Sequence, residues 1–133
     1  LVLKRKKVRE KIMTLYKLTN ELLQNVEDAV KRYENMRELD LDPDFFTEVK
    51  PYADKCQERL QAWKQLAENY VAQYTPKYFH PMQIINIFDA MEQLIVQSFY
   101  KKTSKKRFMD SARSIQYSLG KLKRYLEEDG LDV

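Results

Sequence analysis

The chain has 133 residues, of which 44% are hydrophobic and 33% are charged. That length fits one domain, and that composition supports a buried core and excludes a disordered tail. Two glycines and four prolines are too few for the turns of a β sandwich but fit long helices. No apolar run approaches the roughly 18 residues of a membrane span. A single cysteine, Cys56, with no signal-peptide pattern, leads us to expect a cytoplasmic protein.

The formal net charge of +4 is concentrated at the beginning of the sequence. Residues 1–11 carry six basic side chains and one acidic side chain, a net charge of +5, which leaves −1 for residues 12–133. We therefore divide one helical domain, residues 1–133, into a basic N-terminal arm (residues 1–10) and a nearly neutral body. We interpret the arm as a solvated helix start rather than as a ligand site.

Apolar residues at alternating steps of four and three predict a first helix over about residues 12–36. Thr19 is the only polar member of this stripe, whereas Lys17 and Arg32 fall on the opposite face, which we expect to be exposed to solvent. The stripe consists of Val8, Ile12, Leu15, Thr19, Leu22, Val26, Ala29, Tyr33 and Met36.

The second helix is predicted over about residues 52–74. Before it, Asp42 predicts an N-cap for a short turn with Pro43 as its first residue. Pro51 disfavours α geometry at Lys50, so we expect a kink or a new helix start there. The buried stripe of this helix is Ala53, Cys56, Leu60, Trp63, Ala67, Tyr70 and Tyr74.

The third helix is predicted over about residues 81–102, beginning at Pro81, and is the most apolar of the four. Its broad apolar surface comprises Ile84, Ile85, Ile87, Phe88, Met91, Leu94, Ile95, Ser98 and Phe99. This width predicts contacts with two or three neighbouring helices.

The fourth helix is predicted over about residues 105–127, with Thr103 or Ser104 as its N-cap and Gly130 as its C-terminal cap. A glycine inside a helix costs stability, so Gly120 predicts the close approach of another helix. The buried stripe is Phe108, Ala112, Ile115, Leu119, Leu122 and Leu126.

Four helices of similar length with short connectors predict an all-α fold, an antiparallel up-down-up-down four-helix bundle. This topology places opposite charges together at both ends. The basic cluster, defined as Lys101, Lys102, Lys105, Lys106 and Arg107, would lie near Glu38, Asp40, Asp42, Asp44 and Glu48. The basic arm would lie near Glu127, Glu128, Asp129 and Asp132.

The sequence contains no recognisable catalytic or metal-binding motif. The single histidine has no Glu-x-x-His context for a di-iron site, and one cysteine with one histidine cannot supply the four ligands of zinc. Cys56 belongs to a core stripe, where a thiol is usually inert, and should lie some 30 Å from His80. We therefore expect no catalytic residue, no metal and no cofactor, and predict that the protein is not an enzyme.

Two groups of residues are candidates for a binding surface. The connector before the third helix contributes an aromatic and basic group, which either packs across the end of the bundle or binds a ligand together with Tyr70 and Tyr74. The basic cluster is either solvated and locally paired or binds an anion. The candidate surface residues are Lys77, Tyr78, His80, Lys105, Lys106 and Arg107.

Four motifs occur in a fixed order between residues 14 and 125: Asp44-Phe45-Phe46-x-x-Val49-Lys50-Pro51, Pro76-Lys77-Tyr78-x-His80, Gln97-Ser98-Phe99 and Lys105-Lys106-Arg107-Phe108. In this order and spacing the chain resembles the YppE-like family of small uncharacterised proteins from Gram-positive bacteria. The resemblance implies a compact four-helix bundle in the cytosol and implies no reaction, cofactor or partner. Residues 1 to about 10 extend beyond the family pattern.

We therefore hypothesise a non-enzymatic protein-interaction or adaptor domain, with an unidentified protein as its partner and no membrane contact. The alternative is binding of nucleic acid or a phosphate anion through the basic cluster, Lys101–Arg107. The two hypotheses differ in the salt dependence that they predict, because phosphate contacts weaken steeply as salt rises.

Overall fold

The computed structural model describes residues 2–130, with side chains through residue 128. Four α-helices make up most of this part of the chain: α1 (Val2–Leu39), α2 (Lys50–Tyr74), α3 (Pro81–Gln97) and α4 (Lys105–Tyr125). Two five-residue π-helical turns, Phe45–Val49 and Leu126–Gly130, precede α2 and follow α4. Residues 2–130 contain no β-strand, so the predicted all-α class is confirmed. The predictions for Asp132 and for the side chain of Asp129 fall outside the described residues.

One hydrophobic core joins the four helices, with α1 in contact with the other three. The predicted stripes supply this core, and most of their members are buried. Ile85 is an exception, because its side chain is 43% exposed on the outer side of α3. Phe79 is an addition from the connector, and it is fully buried although it belongs to none of the stripes.

Cross-helix contacts show which parts of the helices lie together. About four turns into α1, the Tyr16 hydroxyl donates to Glu127, which follows α4, at 3.0 Å. Near the end of α1, the Tyr33 ring stacks on Phe108 in the first turn of α4, with centroids 4.0 Å apart. Between these levels, Trp63 of α2 donates its indole N–H to the Thr19 hydroxyl at 3.1 Å. This bond explains why one polar residue belongs to the buried stripe of α1.

The start of α2 differs from the prediction in two ways. The N-cap is Asp44 rather than Asp42, since its carboxylate accepts the Thr47 N–H at 3.0 Å. This hydrogen bond is the main reason that the pKa of Asp44 is lowered. A new helix does start at Lys50, but Lys50 itself has α geometry, because the π-helical turn before it supplies Phe45 O as an acceptor for its N–H.

The other boundaries also follow from local hydrogen bonds. α3 ends at Gln97 rather than near 102, because Phe99 donates to Val96 in a tight i to i+3 turn at 3.1 Å. Pro81 begins α3 and Ser104 caps α4, as predicted. α4 ends at Tyr125, and the chain continues as a π-helical turn, so the predicted cap at Gly130 is wrong for this helix.

Gly120 does not mark the close approach of another helix, because a Cβ placed there would meet no atom within 4 Å. We expect Gly120→Ala to raise the free energy of unfolding by about 0.5–1 kcal/mol, since alanine restricts the unfolded chain and favours the helix. Urea denaturation of the two proteins measures this difference. A loss of stability in the alanine variant would contradict the open environment seen around Gly120.

Candidate functional sites on the surface

The candidate residues from the sequence lie in two separate places. Lys77, Tyr78 and His80 belong to the connector before α3, and the backbone N–H of Tyr78 donates to the hydroxyl of Tyr125 at the end of α4, at 3.1 Å. The residues Lys105–Arg107 occupy the first turn of α4. About 27 Å of helix separates the two groups, so they do not form one site.

The backbone of His80 forms two hydrogen bonds with Gln83 in the first turn of α3. Its N–H donates to the side-chain oxygen of Gln83 at 2.7 Å, and its carbonyl accepts the Gln83 N–H at 3.0 Å. The imidazole itself is exposed. The imidazole is therefore not buried in the core at this end of the helices, whereas the side chain of its neighbour Phe79 is fully buried.

Cys56 and His80 are far apart, as predicted. Cys56 lies in the second turn of α2 and His80 follows the end of that helix, with about 27 Å of helix between them. The thiol is 3% exposed, and burial is the main cause that raises its pKa, against a smaller lowering by its hydrogen bond with Tyr52. A protonated, enclosed thiol is a poor nucleophile.

We expect the Cys56 thiol to react with a disulfide reagent at pH 8 at least 100-fold more slowly in the folded protein than in urea. A raised folded-state pKa means that the folded protein holds the proton at a pH where the unfolded thiol loses it. The resulting stabilisation is present below about pH 8.5 and is lost as the pH rises. Equal reaction rates in both states would contradict the burial of this residue.

No three histidine, cysteine or acidic side chains lie close enough together to hold a metal ion in the part of the chain that the structure describes. Within that same part, no helix combines the length and apolarity that crossing a membrane requires.

The basic cluster is only partly neutralised. Lys101 forms an ion pair with Asp40 of the first connector, and this hydrogen bond is the main cause that raises the pKa of Lys101. No other member of the cluster forms an ion pair with the side chains described, those of residues 2–128. The expected pairing of opposite charges is thus confirmed for Lys101 but not for the other four members of the basic cluster. Nor does the basic arm pair with Glu127, which instead accepts a hydrogen bond from Tyr16.

A polar cleft lies between the end of α3 and the start of α4. Its volume is about 600 Å³, and Lys102 and Arg107 contribute its positive charges. The other lining residues are amides and hydroxyls: Gln93, Gln97, Thr103, Ser104 and Ser111. Cationic and neutral donors around one concavity suit an oxyanion such as phosphate.

A groove lies between the first turns of α1 and the last turns of α2, with a volume of about 640 Å³. Its α1 side carries three lysines, Lys4, Lys7 and Lys11. The rest of its lining consists of two amides, Asn69 and Gln73, and the apolar or aromatic residues Val8, Ile12, Leu15, Leu66, Tyr70, Ala72 and Tyr74. The α1 helix begins at Val2, so the basic arm of the sequence is one wall of this groove.

A third cleft, of about 420 Å³, joins the connector to the end of α4. Tyr78 enters it, as do Tyr117, Lys121 and Arg124 of α4, which the sequence analysis did not select. Tyr70 and Tyr74 line the α1–α2 groove instead, so neither of these two clefts combines them with Tyr78 and His80.

The sequence does contain a signal for this third cleft. The 21 residues of α4 include seven basic side chains and one acidic side chain, a net charge of +6. The near-neutral sum over residues 12–133 hides this charge, because acidic residues elsewhere cancel it. A charge count per helix would have identified α4 as strongly basic.

Comparison with known proteins places the chain among proteins of unknown function. A family described as a bacterial domain of unknown function, DUF1798, matches residues 19–126. The uncharacterised protein YppE of Bacillus subtilis is 30% identical over 110 residues, which cover 83% of this chain and 89% of YppE. The matched family region begins after Lys4, Lys7 and Lys11 of the groove.

Solved structures of similar proteins share the fold. The crystal structure of YppE superposes with a TM-score of 0.82 at 30% identity, covering 88% of this chain and 96% of YppE. A protein of unknown function from Listeria innocua gives a TM-score of 0.85 at 25% identity, with 90% and 95% covered. A DUF1798 protein from Staphylococcus aureus gives 0.77 at 25% identity, with 84% and 95% covered. The resemblance to the YppE-like family is confirmed, and the chain belongs to the DUF1798 family of uncharacterised proteins from Gram-positive bacteria.

Proposed function

We propose that this protein is a non-enzymatic interaction domain of the cytoplasm that binds an acidic amphipathic helix of a partner protein in the α1–α2 groove. The observation that carries the proposal is the groove itself, which combines an apolar lining with three lysines along one wall. Helix-in-groove recognition uses this combination, because the apolar face of the incoming helix supplies affinity and the charges at the edge set its orientation.

The proposal includes an antiparallel up-down-up-down order of the four helices. Two contacts support this order for α1 and α4: Tyr16 meets Glu127, and Tyr33 stacks on Phe108. In α2 and α3, the Lys64 ammonium lies 4.8 Å from the Phe88 ring centre, and the Tyr52 ring lies 5.7 Å from that of Phe99. In both of these pairs, later residues of one helix thus meet earlier residues of the other, as antiparallel helices require.

Charge selects the partner class. Lys4, Lys7 and Lys11 are spaced by three and four residues, so they share one face of α1. They form no ion pair with the side chains of residues 2–128, so none of these side chains neutralises their charges. A helix that carries glutamates at the same spacing beside a leucine stripe would satisfy both the charges and the apolar lining.

The test uses a designed helical peptide with leucines on one face and glutamates at i, i+3 and i+7 beside it. Calorimetry should detect binding with a negative heat-capacity change, the mark of apolar burial. Charge reversal at Lys4, Lys7 and Lys11 together should weaken binding at least tenfold. The matched control reverses three exposed lysines away from the groove, Lys17, Lys31 and Lys55, and should bind within about twofold of the native protein.

Equal weakening by both triple variants would overturn the groove as the binding site and leave only general charge attraction. The absence of catalysis is tested separately with hydrolase and transferase substrates. A turnover that one substitution abolishes would overturn the non-enzymatic part of the proposal.

A second candidate function is binding of a phosphate anion or nucleic acid at the basic cluster, and the polar cleft favours it. Lys102 and Arg107 line that cleft, and neither forms an ion pair among the described residues. Lys102→Glu with Arg107→Glu should remove binding, and affinity should fall steeply with salt. Binding that does not change with salt would exclude phosphate contacts.

A further inference from the structure

The outer face of α4 carries a second regular stripe, directly opposite its core stripe. Its members follow one another at steps of four or three, so they align along the helix. They are Lys106, Asp110, Arg113, Tyr117, Lys121 and Arg124. Four of the six are basic, and from Lys106 to Arg124 they extend over about 27 Å.

Most of this charge has no acidic partner. Asp110 lies 3.7 Å from Arg113 in an exposed pair and so compensates for one cation. Lys106, Lys121 and Arg124 form no ion pair with the side chains of residues 2–128, and neither does Lys77, which the connector brings to the same end of α4. A row of fixed cations on one exposed helix face attracts a flexible polyanion.

Two exposed tyrosines lie at the end of this row. Tyr117 is 64% exposed and Tyr78 is 60% exposed, and both line the 420 Å³ cleft with Lys121 and Arg124. Each ring has an ammonium near its face, Lys121 at 5.0 Å from the Tyr117 centre and Lys77 at 5.2 Å from the Tyr78 centre. Glu128 is the one acidic residue in the cleft lining.

We propose that the outer face of α4 binds single-stranded nucleic acid, with phosphates along the basic row and a base stacked in the Tyr78–Tyr117 cleft. Exposed aromatic rings beside cations are what single-strand sites use, because every base offers a face for stacking. A duplex keeps its bases stacked on one another and would gain only the phosphate contacts. This inference does not depend on the α1–α2 groove or on the polar cleft.

The test is fluorescence anisotropy with a labelled 12-nucleotide oligo(dT), compared with a duplex of equal length. We expect at least tenfold tighter binding to the single strand. The logarithm of affinity should fall with the logarithm of salt concentration with a slope near −3, the value for about four phosphate contacts. Equal binding of strand and duplex would overturn the stacking part of the proposal.

Substitutions separate stacking from charge. Tyr117→Ala should weaken oligo(dT) binding about 5- to 150-fold, the range for loss of one stacked base, whereas Tyr117→Phe should bind as the native protein does. Lys121→Glu with Arg124→Glu should weaken binding at least tenfold. The control with the same change in net charge, Lys17→Glu with Lys31→Glu, should change affinity less than threefold. Circular dichroism checks that each variant remains helical.

The other outcomes are equally informative. Binding that is lost with Lys102→Glu and Arg107→Glu, which line the polar cleft and lie outside the α4 row, but that is unaffected by Tyr117→Ala would assign nucleic acid to the basic cluster and overturn the α4 site. Polyglutamate that competes as well as oligo(dT) would indicate an acidic protein ligand and also overturn it. The absence of any oligonucleotide binding would overturn this inference and leave the groove proposal unaffected.

Discussion

Replacing Trp63 with alanine is expected to lower the free energy of unfolding by about 3–5 kcal/mol. The indole is fully buried between helices, and its N–H donates to the Thr19 hydroxyl at 3.1 Å. Truncation removes a large buried apolar surface and leaves a cavity that the neighbouring helices cannot close completely. A loss of that size is a large part of the total stability of a typical domain.

Chemical denaturation of Trp63→Ala measures this loss, with Lys17→Ala as the control on the exposed face of α1. The control should remain within about 0.5 kcal/mol of the native protein. Thr19→Val isolates the hydrogen bond, because it leaves the buried indole N–H without its acceptor at a cost of about 1–3 kcal/mol. Similar losses at Lys17 and Trp63 would show that the buried and exposed faces are misassigned.

Phe108→Ala is expected to cost about 3–5 kcal/mol as well. Phe108 is fully buried in the first turn of α4, and its ring stacks on Tyr33 with an interplanar angle of 7°. The hydroxyl of Tyr33 donates to the carbonyl of Thr103, just before α4. Loss of the ring therefore removes the apolar contact that fixes the start of α4. The basic cluster lies at this end of the helix.

Phe46→Ala is the matched control, because it deletes the same side chain where it is 76% exposed. It should change stability by no more than about 0.5 kcal/mol. A double-mutant cycle with Tyr33→Ala should give a coupling of about 0.5–1.5 kcal/mol for the stacked pair. Additive losses would contradict a direct interaction between the two rings.

The sequence predicted the buried stripes well because the helical period alone decides which side chains share a face. Arg32 shows the limit of that reasoning. Its position in the helical period predicted a side chain exposed to solvent. Instead, its guanidinium lies 4.3 Å from the Tyr52 ring centre and 4.6 Å from the Phe99 ring centre. It also donates to the Ser98 hydroxyl at 2.8 Å. These partners come from α2 and from the end of α3, so periodicity within α1 contains no information about them.

Helix ends were harder to predict for a similar reason. Two helices end at residues with left-handed backbone geometry, Asp40 with φ 53° and Thr75 with φ 43°, although glycine suits this geometry best. The two glycines lie elsewhere, and Gly120 occupies an ordinary helical position with open space beside it. Two predictions rested on residue type alone: that Gly120 marks a close helix contact and that Gly130 caps α4. Both were therefore wrong.

The candidate surface was predicted in part. Tyr78 and Lys77 were selected from the connector, but Tyr117, Lys121 and Arg124 come from a different element more than 35 residues later. Only the packing of the connector against α4 brings them into one cleft. The net charge of −1 over residues 12–133 also concealed the net charge of +6 on α4, because acidic residues elsewhere cancel it.

The length of α1 has a consequence for how the protein opens. The 38 residues of α1, against 17 in α3, make α1 longer by about 30 Å. Counting from the N-terminal end of α1, Ile12 is the first residue whose side chain is buried. Amide hydrogens of the turns before Ile12 should exchange with deuterium fastest, because unwinding there breaks few tertiary contacts. A partner seated in the groove would extend slow exchange toward Val2, so protection of these amides would report occupancy directly.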